Sequence, residues 1–275
     1  MSLVDGFERF LVVAGLVAAA WLALPTRHSL TRAGHRFAQD NDLWIAPELM
    51  AAVDRAHRRE RWVLAVAALA AVAVFLLGPD RATSPLVLFA VVVPIAAVGR
   101  LLLAGRDFPV RPGQVSVARP RAVRVGDYLP PTAPAAFAVW ALLGAGAAGL
   151  GVRWGERGLV VAGAVMVLVT LAVAGSVVAV SRRPEPAVDA AHLYLQDAWR
   201  AARMRTTLQQ LALAGYCLGL TLASADPALP SGLWVVPIAV AGVASGLALR
   251  GRARFRDRLW PDVPAGQVLS VGGAA

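Results

Sequence analysis

The chain has 275 residues, of which 58% are apolar and only 16% are charged. Soluble domains average roughly 45–50% apolar and about 25% charged residues, so this composition excludes most soluble classes and favours a membrane protein. All 27 basic residues are arginine and the formal net charge is +10. This bias, with abundant Ala, Val, Leu and Gly, indicates a high-GC bacterial gene. Because the arginines flank apolar stretches, we expect no nucleic-acid partner.

Seven stretches are predicted to cross the membrane as helices, for which roughly 17–25 mostly apolar residues are needed. We number these spans one to seven in chain order. They are Phe7–Leu24, Trp62–Gly78, Pro85–Ala104, Ala133–Val152, Gly158–Val180, Leu208–Ala225 and Gly232–Leu249. The sequence therefore predicts an all-α integral membrane protein.

The connections between the spans predict the orientation of the chain. Short connections at 79–84, 153–157 and 226–231 alternate with long ones at 25–61, 105–132 and 181–207. Only four of the 27 arginines lie on the side of the short connections. Basic residues concentrate on the cytoplasmic side of membrane proteins, which places the N-terminus outside and the C-terminus in the cytoplasm. We expect a multi-pass protein of the plasma (inner) membrane.

Four short fragments recur in the same order and predict a tandem duplication. The pairs begin at Glu8 and Glu156, Ala52 and Ala187, Val92 and Val235, and Gly113 and Gly266. We divide the chain into a first three-span repeat (6–115), a cytoplasmic linker with span four (116–154), a second three-span repeat (155–268) and a tail (269–275). Because the linker crosses the membrane once, both repeats have the same orientation, related by a pseudo-twofold axis along the membrane normal.

Small residues and prolines indicate how the helices pack. Gly215 and Gly219 form a GxxxG motif in span six, and Gly242 and Gly246 form another in span seven. Such motifs mediate close helix contacts, here predicted within one chain, with a homodimer interface as the alternative. Prolines inside spans kink helices. Pro94 of span three and Pro237 of span seven could therefore line a cavity or act as hinges, or could be packing features only.

Two cytoplasmic segments are predicted to be amphipathic helices, and a third helix is predicted to begin at Pro47 and continue into span two. Their apolar residues recur at helical spacing. The arginines beside them suit either the anionic inner leaflet of the bilayer or a cytoplasmic partner. The two stripes are Leu30, Ala33 and Phe37, and Val188, Ala191, Leu195, Ala198 and Ala202.

The strongest candidate for chemistry is a repeated Asp-x-x-His motif. Asp54 with His57, and Asp189 with His192, each share one helix face at this spacing. Acid-x-x-His motifs on two helices form part of the di-metal pattern of helical bundles. That pattern also needs two further carboxylates, and the nearby Glu48 and Glu185 lie at unequal spacing. The alternative is a local Asp–His hydrogen bond at a helix start or between the repeats.

Ionisable residues are almost absent from the predicted spans, and Arg100 at the inner end of span three is the main exception. Proton relays and ion sites need such residues, so ion-coupled transport is disfavoured. No cofactor or enzymatic motif is recognised. We predict a non-enzymatic permease-type or transporter-associated subunit that works with a cytoplasmic ATPase or another membrane subunit. The alternatives are a metal protein or enzyme using the Asp-x-x-His pairs, and a membrane scaffold or sensor.

Overall fold

A computed structural model describes residues 24–77, 92–93, 95–101, 123–183, 187–225, 235–249, 255–263 and 268–271. Almost all of span one and most of span three lie outside the described residues. Pro94 and the repeated fragments at 8–15, 113–115 and 266–267 also lie outside them.

The described chain is mostly helical, in agreement with the all-α prediction, with one small sheet that the sequence did not predict. Residues 95–101 are helical, and spans four, five and seven correspond to α4, α5 and α7 below. In chain order the elements are α1 (Arg27–Asp40), β1 (Leu43–Ile45), α2 (Pro47–Leu77), α3 (Val125–Tyr128), α4 (Ala133–Trp154), α5 (Arg157–Arg182), α6 (Ala190–Ala225), α7 (Val235–Leu249), α8 (Phe255–Leu259) and β2 (Leu269–Val271).

Helices α2 and α6 each join a polar half and an apolar half without a break. Helix α2 begins at Pro47 and continues through predicted span two to Leu77. Helix α6 runs from Ala190 through predicted span six to Ala225. At 1.5 Å per residue, the polar half of each helix extends roughly 20–27 Å beyond the apolar half.

Helices α4 and α5 are the two described helices that are long and apolar enough to cross a membrane. Of the residues in the most apolar stretch of each helix, only 33% in α4 and 44% in α5 are buried inside the protein. Leu142 of α4 is 71% exposed and Leu168 of α5 is 66% exposed. The core helix of a soluble protein would bury such side chains, whereas a helix that faces lipid leaves them on its surface.

Close backbone contact holds α4 and α5 together as an antiparallel pair. Gly155 makes the turn between them with φ 72°, a left-handed conformation that favours glycine. A Cβ atom on Gly163 would lie only 2.5 Å from the backbone nitrogen of Ala148. A Cβ on Gly144 would lie 2.8 Å from the Gly163 carbonyl oxygen. These glycines allow a helix approach that larger residues would block.

The first predicted glycine motif faces other helices of the same chain. A Cβ atom on Gly215 would lie 3.1 Å from the Trp140 ring of α4. A Cβ on Gly219 would lie 3.0 Å from the carbonyl oxygen of Pro237 in α7. Pro237 therefore lies at the contact between α6 and α7, where its backbone packs directly against a glycine.

The second glycine motif has two different surroundings. A Cβ atom on Gly242 would lie 3.0 Å from the Tyr216 hydroxyl oxygen, which belongs to α6. Gly246 has open space around its Cβ position. A contact with a second copy of the chain stays a prediction, and only Gly246 of this pair leaves room for one.

The remaining elements pack against the polar halves of the long helices. Helix α1 buries Leu30 and Phe37, as its predicted apolar stripe requires. Strand β1 pairs in parallel with β2, with Leu43 opposite Leu269. Residues 269–271 of the predicted tail are therefore a strand that returns to the start of the described chain.

Candidate functional site

Charged side chains of three helices meet at the ends that the sequence predicts to be cytoplasmic. Arg203 of α6 forms an ion pair with Glu60 of α2. Arg100, in the helix at 95–101, lies within electrostatic range of both residues. Only 7% of Arg100 is exposed, and its Nη2 atom has no hydrogen-bond partner among the described residues. Glu60 is thus the carboxylate placed beside two buried guanidinium groups.

Trp199 is the aromatic centre of this cluster. The Arg203 guanidinium lies 3.9 Å from the centroid of the Trp199 ring, a cation–π contact. The ring centroids of His57 and Phe37 each lie 5.0 Å from that of Trp199. The Nη2 atom of Arg203 also lies 3.4 Å from Nδ1 of His57. Helices α1, α2 and α6 each contribute a side chain to this arrangement.

Burial, together with smaller contributions from the charges of Arg203 and Arg61, lowers the pKa of His57 to about 3. The imidazole is consequently neutral at physiological pH. A neutral ring can accept the hydrogen bond from Arg203 without charge repulsion. His57 is therefore a fixed part of the cluster and does not titrate near neutrality.

Asp54 lies one helical turn before His57, in the first third of α2. Its Oδ1 atom is buried and has no hydrogen-bond partner among the described residues. A Cβ atom on Gly34 of α1 would lie 3.5 Å from this oxygen, so the carboxylate faces the contact between α1 and α2. The first Asp-x-x-His pair therefore lies inside a helix.

The second pair has a different local structure, because it starts a helix. The Asp189 carboxylate accepts a hydrogen bond of 2.6 Å from the backbone N–H of His192, as an N-cap residue does. The His192 Nδ1 atom lies 3.4 Å from the Val188 backbone nitrogen. Burial lowers the pKa of His192, and the Asp189 charge opposes this shift. The Asp–His contact is thus local, through the backbone of His192.

Among the residues that the structure describes, no three His, Cys, Asp or Glu side chains form a group that could hold a metal ion. All four candidate ligands, Asp54, His57, Asp189 and His192, are described. The structure does not bring them into one preformed site. Metal binding by these residues stays a prediction, which metal analysis of the purified protein would test.

A second polar centre, which the sequence did not indicate, is formed around Asp197 of α6. This residue is completely buried. Its Oδ1 atom accepts a 2.6 Å hydrogen bond from the Tyr128 hydroxyl, and its Oδ2 atom accepts a 2.9 Å bond from the Trp260 indole nitrogen. Asp197 thus joins α6 to α3 and to the residue after α8. An isolated aspartate in a helix carries no spacing signal, so only the fold identifies it.

A cavity of about 990 Å³ opens beside the arginine cluster. Helices α1, α2, α6 and α8 provide its walls, and the described lining includes four arginines, three aspartates and His57. The charged lining residues are Arg36, Arg203, Arg205, Arg256, Asp40, Asp42 and Asp257. Arg256 forms an ion pair with Asp42, which ties α8 to the turn before β1.

Hydroxyl groups within the predicted spans bond to their own helices. Thr170 donates to the Met166 carbonyl at 2.7 Å, and Thr221 donates to the Cys217 carbonyl at 2.8 Å. Ser245 donates to the carbonyl four residues earlier at 2.7 Å. Each of these three hydroxyl groups thus has an acceptor within its own helix.

No known protein family, curated protein or solved structure matches this chain.

Proposed function

We propose that this chain is a seven-span protein of the inner membrane, with its N-terminus outside and its C-terminus in the cytoplasm. In this proposal it serves as a permease-type or transporter-associated subunit. Because its spans carry almost no ionisable residues, a separate cytoplasmic protein such as an ATPase supplies the energy.

Exposed apolar side chains on the described helices support insertion into a bilayer. Beyond α4 and α5, such side chains occur on α2, on the helix at 95–101, and on α6 and α7. They include Val66, Leu69, Ile95, Leu213, Leu220, Val236 and Val243, all more than 40% exposed. Water would make this much exposed apolar surface costly, whereas lipid would not.

The observation that supports alternating crossings is the set of contacts between the helix ends that the sequence predicts to be cytoplasmic. Glu60, Arg100 and Arg203 join the inner ends of spans two, three and six. The Thr132 hydroxyl donates to the Leu247 carbonyl, which joins spans four and seven. Two arginines link the ends of spans one and five to the same region. Arg61 donates to the Leu24 carbonyl, and Arg200 donates to the Arg183 carbonyl. This common level is what seven alternating crossings require.

The surface that we propose to be cytoplasmic favours electrostatic binding of a partner protein over insertion into the membrane. The apolar stripe of α1 is buried against its neighbours, and Leu195 and Ala198 of the α6 stripe are also buried. Val188 is 40% exposed, but most of the apolar surface of the two stripes is already covered by the protein. The exposed face of α1 instead carries arginines, including Arg27 and Arg32. An acidic surface on a cytoplasmic protein would complement this face.

Affinity purification from native membranes tests the proposal. We expect the wild-type chain to retain a cytoplasmic ATPase, and the double variant Arg27→Gln/Arg32→Gln to retain less of it, because two docking charges are lost. Arg153→Gln/Arg157→Gln is the matched control, since it removes two exposed arginines from the predicted outer side. Recovery of no ATPase with the wild-type chain would contradict the permease role and favour a scaffold or sensor.

A further inference from the structure

One face of α2 is exposed along the helix and changes from basic to apolar. Residues three or four positions apart share a helix face. We call this surface the α2 boundary face, and its residues, all exposed, are Arg55, Arg58, Arg59, Trp62, Val66 and Leu69. Trp62 is 51% exposed and lies between the arginines and the aliphatic side chains. The basic and the apolar residues therefore belong to one continuous surface.

The acidic side chains that the structure describes on α2 lie on other sides of the helix. The Asp54 carboxylate faces the contact with α1, and Glu60 forms the ion pair with Arg203 of α6. Arg55 and Arg58 form no ion pair with any residue that the structure describes. The charges of these two arginines can therefore attract an anionic partner from outside the protein.

The change from charged to apolar side chains occurs over a short length of α2. At 1.5 Å per residue, Arg58 and Val66 are about 12 Å apart along the helix axis. The headgroup region on each side of a bilayer is roughly 5–8 Å thick, and tryptophan is enriched there. Water disfavours the exposed aliphatic end of this face, and hydrocarbon disfavours its arginine end. The boundary between water and hydrocarbon suits both ends.

We propose that the α2 boundary face binds anionic phospholipid headgroups of the inner leaflet. Arg55 and Arg58 are the cationic partners of the headgroup phosphates, and Trp62 lies at the level of the headgroups. Guanidinium groups bind phosphate oxygens through several N–H groups at once, and basic segments beside a membrane are attracted to anionic leaflets. This inference rests on the proposed insertion into the membrane and adds the class of lipid that α2 selects.

Helix α1 also has exposed arginines, but it lacks the apolar continuation. Arg27 and Arg32 are exposed, whereas Leu30 and Phe37 of the same helix are buried. The exposed face of α1 thus has no aliphatic end that would mark a membrane boundary. Its arginines therefore provide a control on the same predicted side of the membrane.

Quenching of tryptophan fluorescence by brominated phospholipids measures lipid binding beside Trp62. Each chain is reconstituted in vesicles with brominated phosphatidylglycerol or brominated phosphatidylcholine, and its Trp62→Phe version gives the signal of the other tryptophans. We expect phosphatidylglycerol to quench Trp62 more strongly than phosphatidylcholine at equal mole fraction. In Arg55→Gln/Arg58→Gln this preference should fall by up to about fivefold for each arginine removed, and high salt should reduce it in the wild-type chain.

Two matched variants decide the outcome. Arg27→Gln/Arg32→Gln removes the same number of exposed arginines from α1 and should retain the wild-type preference. Arg55→Lys/Arg58→Lys keeps both charges and should retain most of the preference, which separates loss of charge from loss of structure. An unchanged preference in Arg55→Gln/Arg58→Gln, or an equal loss in the α1 variant, would overturn the proposal. Weaker capture of a cytoplasmic protein by Arg55→Gln/Arg58→Gln, with the lipid preference unchanged, would assign this face to a protein partner instead.

Extraction of the vesicles with alkaline carbonate separates this inference from the proposed function. A wild-type chain that is extracted is not inserted in the bilayer, and both proposals then fail. A wild-type chain that stays in the vesicles without preferring phosphatidylglycerol contradicts the lipid-binding face alone.

Discussion

The contacts of Trp199 combine a residue that the sequence indicated with residues that only the fold identifies. Its neighbours come from α1, α2 and α6, and Phe37 and His57 are both more than 140 residues distant in the chain. Sequence spacing pointed to His57, because its motif is repeated. It gave no signal for Trp199 or Arg203, because their roles arise only from packing between distant segments. The two Asp-x-x-His pairs also differ in structure, because one lies inside a helix and the other caps one.

The low pKa of His57 predicts a dependence of stability on pH. In the unfolded chain the imidazole titrates near 6.5, whereas in the fold its pKa is about 3. Between these values the unfolded state binds more protons. The free energy of unfolding therefore falls as the pH drops below about 6.5, by up to about 1.4 kcal/mol per pH unit. His57→Gln should have a smaller drop in melting temperature between pH 7.5 and 5.

Tryptophan fluorescence during heating of the protein in detergent measures this difference. His35→Gln is the control, because His35 is exposed on α1 and should leave the pH dependence unchanged. Identical pH dependence of the wild-type chain and His57→Gln would show that His57 is accessible to protons in the fold.

The hydrogen bonds of Asp197 predict a large loss of stability when its side chain is truncated to alanine. Asp197→Ala leaves the Tyr128 hydroxyl and the Trp260 indole N–H without their buried acceptor. We expect a loss of about 2–4 kcal/mol in the free energy of unfolding, since unsatisfied buried donors cost about 1–3 kcal/mol each. Tyr128→Phe removes one of the two bonds and leaves the Trp260 bond to Asp197 in place, so it should cost less, about 1–2 kcal/mol. A smaller effect of Asp197→Ala than of Tyr128→Phe in thermal unfolding would contradict this role.

At the level of the elements, apolar helices were the most predictable part of the fold. The predicted Ala133–Val152 and Gly158–Val180 differ from α4 and α5 by at most two residues at each end. Long apolar composition alone specifies such helices. Strands β1 and β2 have only three residues each and pair across almost the whole chain. Local sequence carries no signal for such a pairing, so the sheet was not predicted.

The close contact between α4 and α5 predicts that even one added methyl group at this contact destabilises the fold. Gly163→Ala would place a methyl group 2.5 Å from backbone atoms of α4, so the helices must separate. We expect a loss of about 1–3 kcal/mol, the usual cost of overpacking. Gly175→Ala, on the same helix with open space at its Cβ position, should not destabilise the chain. Equal melting temperatures of the two variants in one detergent would contradict the close contact.

At the level of the whole molecule, the orientation predicted from the arginines stays a prediction, and two of the described helices, α4 and α5, are long and apolar enough to cross a membrane. Charge asymmetry and mostly helical, apolar composition are global properties, so the sequence alone indicates them. The cavity and the arginine cluster could not be predicted from the sequence, because the cavity forms where α1, α2, α6 and α8 come together. The duplication stays a prediction. In the described residues, α2 and α6 share their combination of a polar half and an apolar half.

Cysteine labelling tests the orientation directly. Cys217 is the sole cysteine and is buried, so Cys217→Ala gives a suitable background. A membrane-impermeant maleimide should label Glu156→Cys in right-side-out vesicles. Arg58→Cys and Arg205→Cys should react only in inside-out vesicles. Labelling of positions 58 and 205 from opposite faces would disprove the seven-span arrangement.

The pairing of β1 with β2 sets an order of assembly during synthesis. Leu43–Ile45 leave the ribosome early, whereas their partners Leu269–Val271 follow α7 and α8. Contacts so distant in sequence form late, because a long loop must close first. Phe255 and Arg256, which complete the cavity wall, also arrive only at this stage. A ligand of the cavity would thus be retained only by chains whose translation has proceeded past α8.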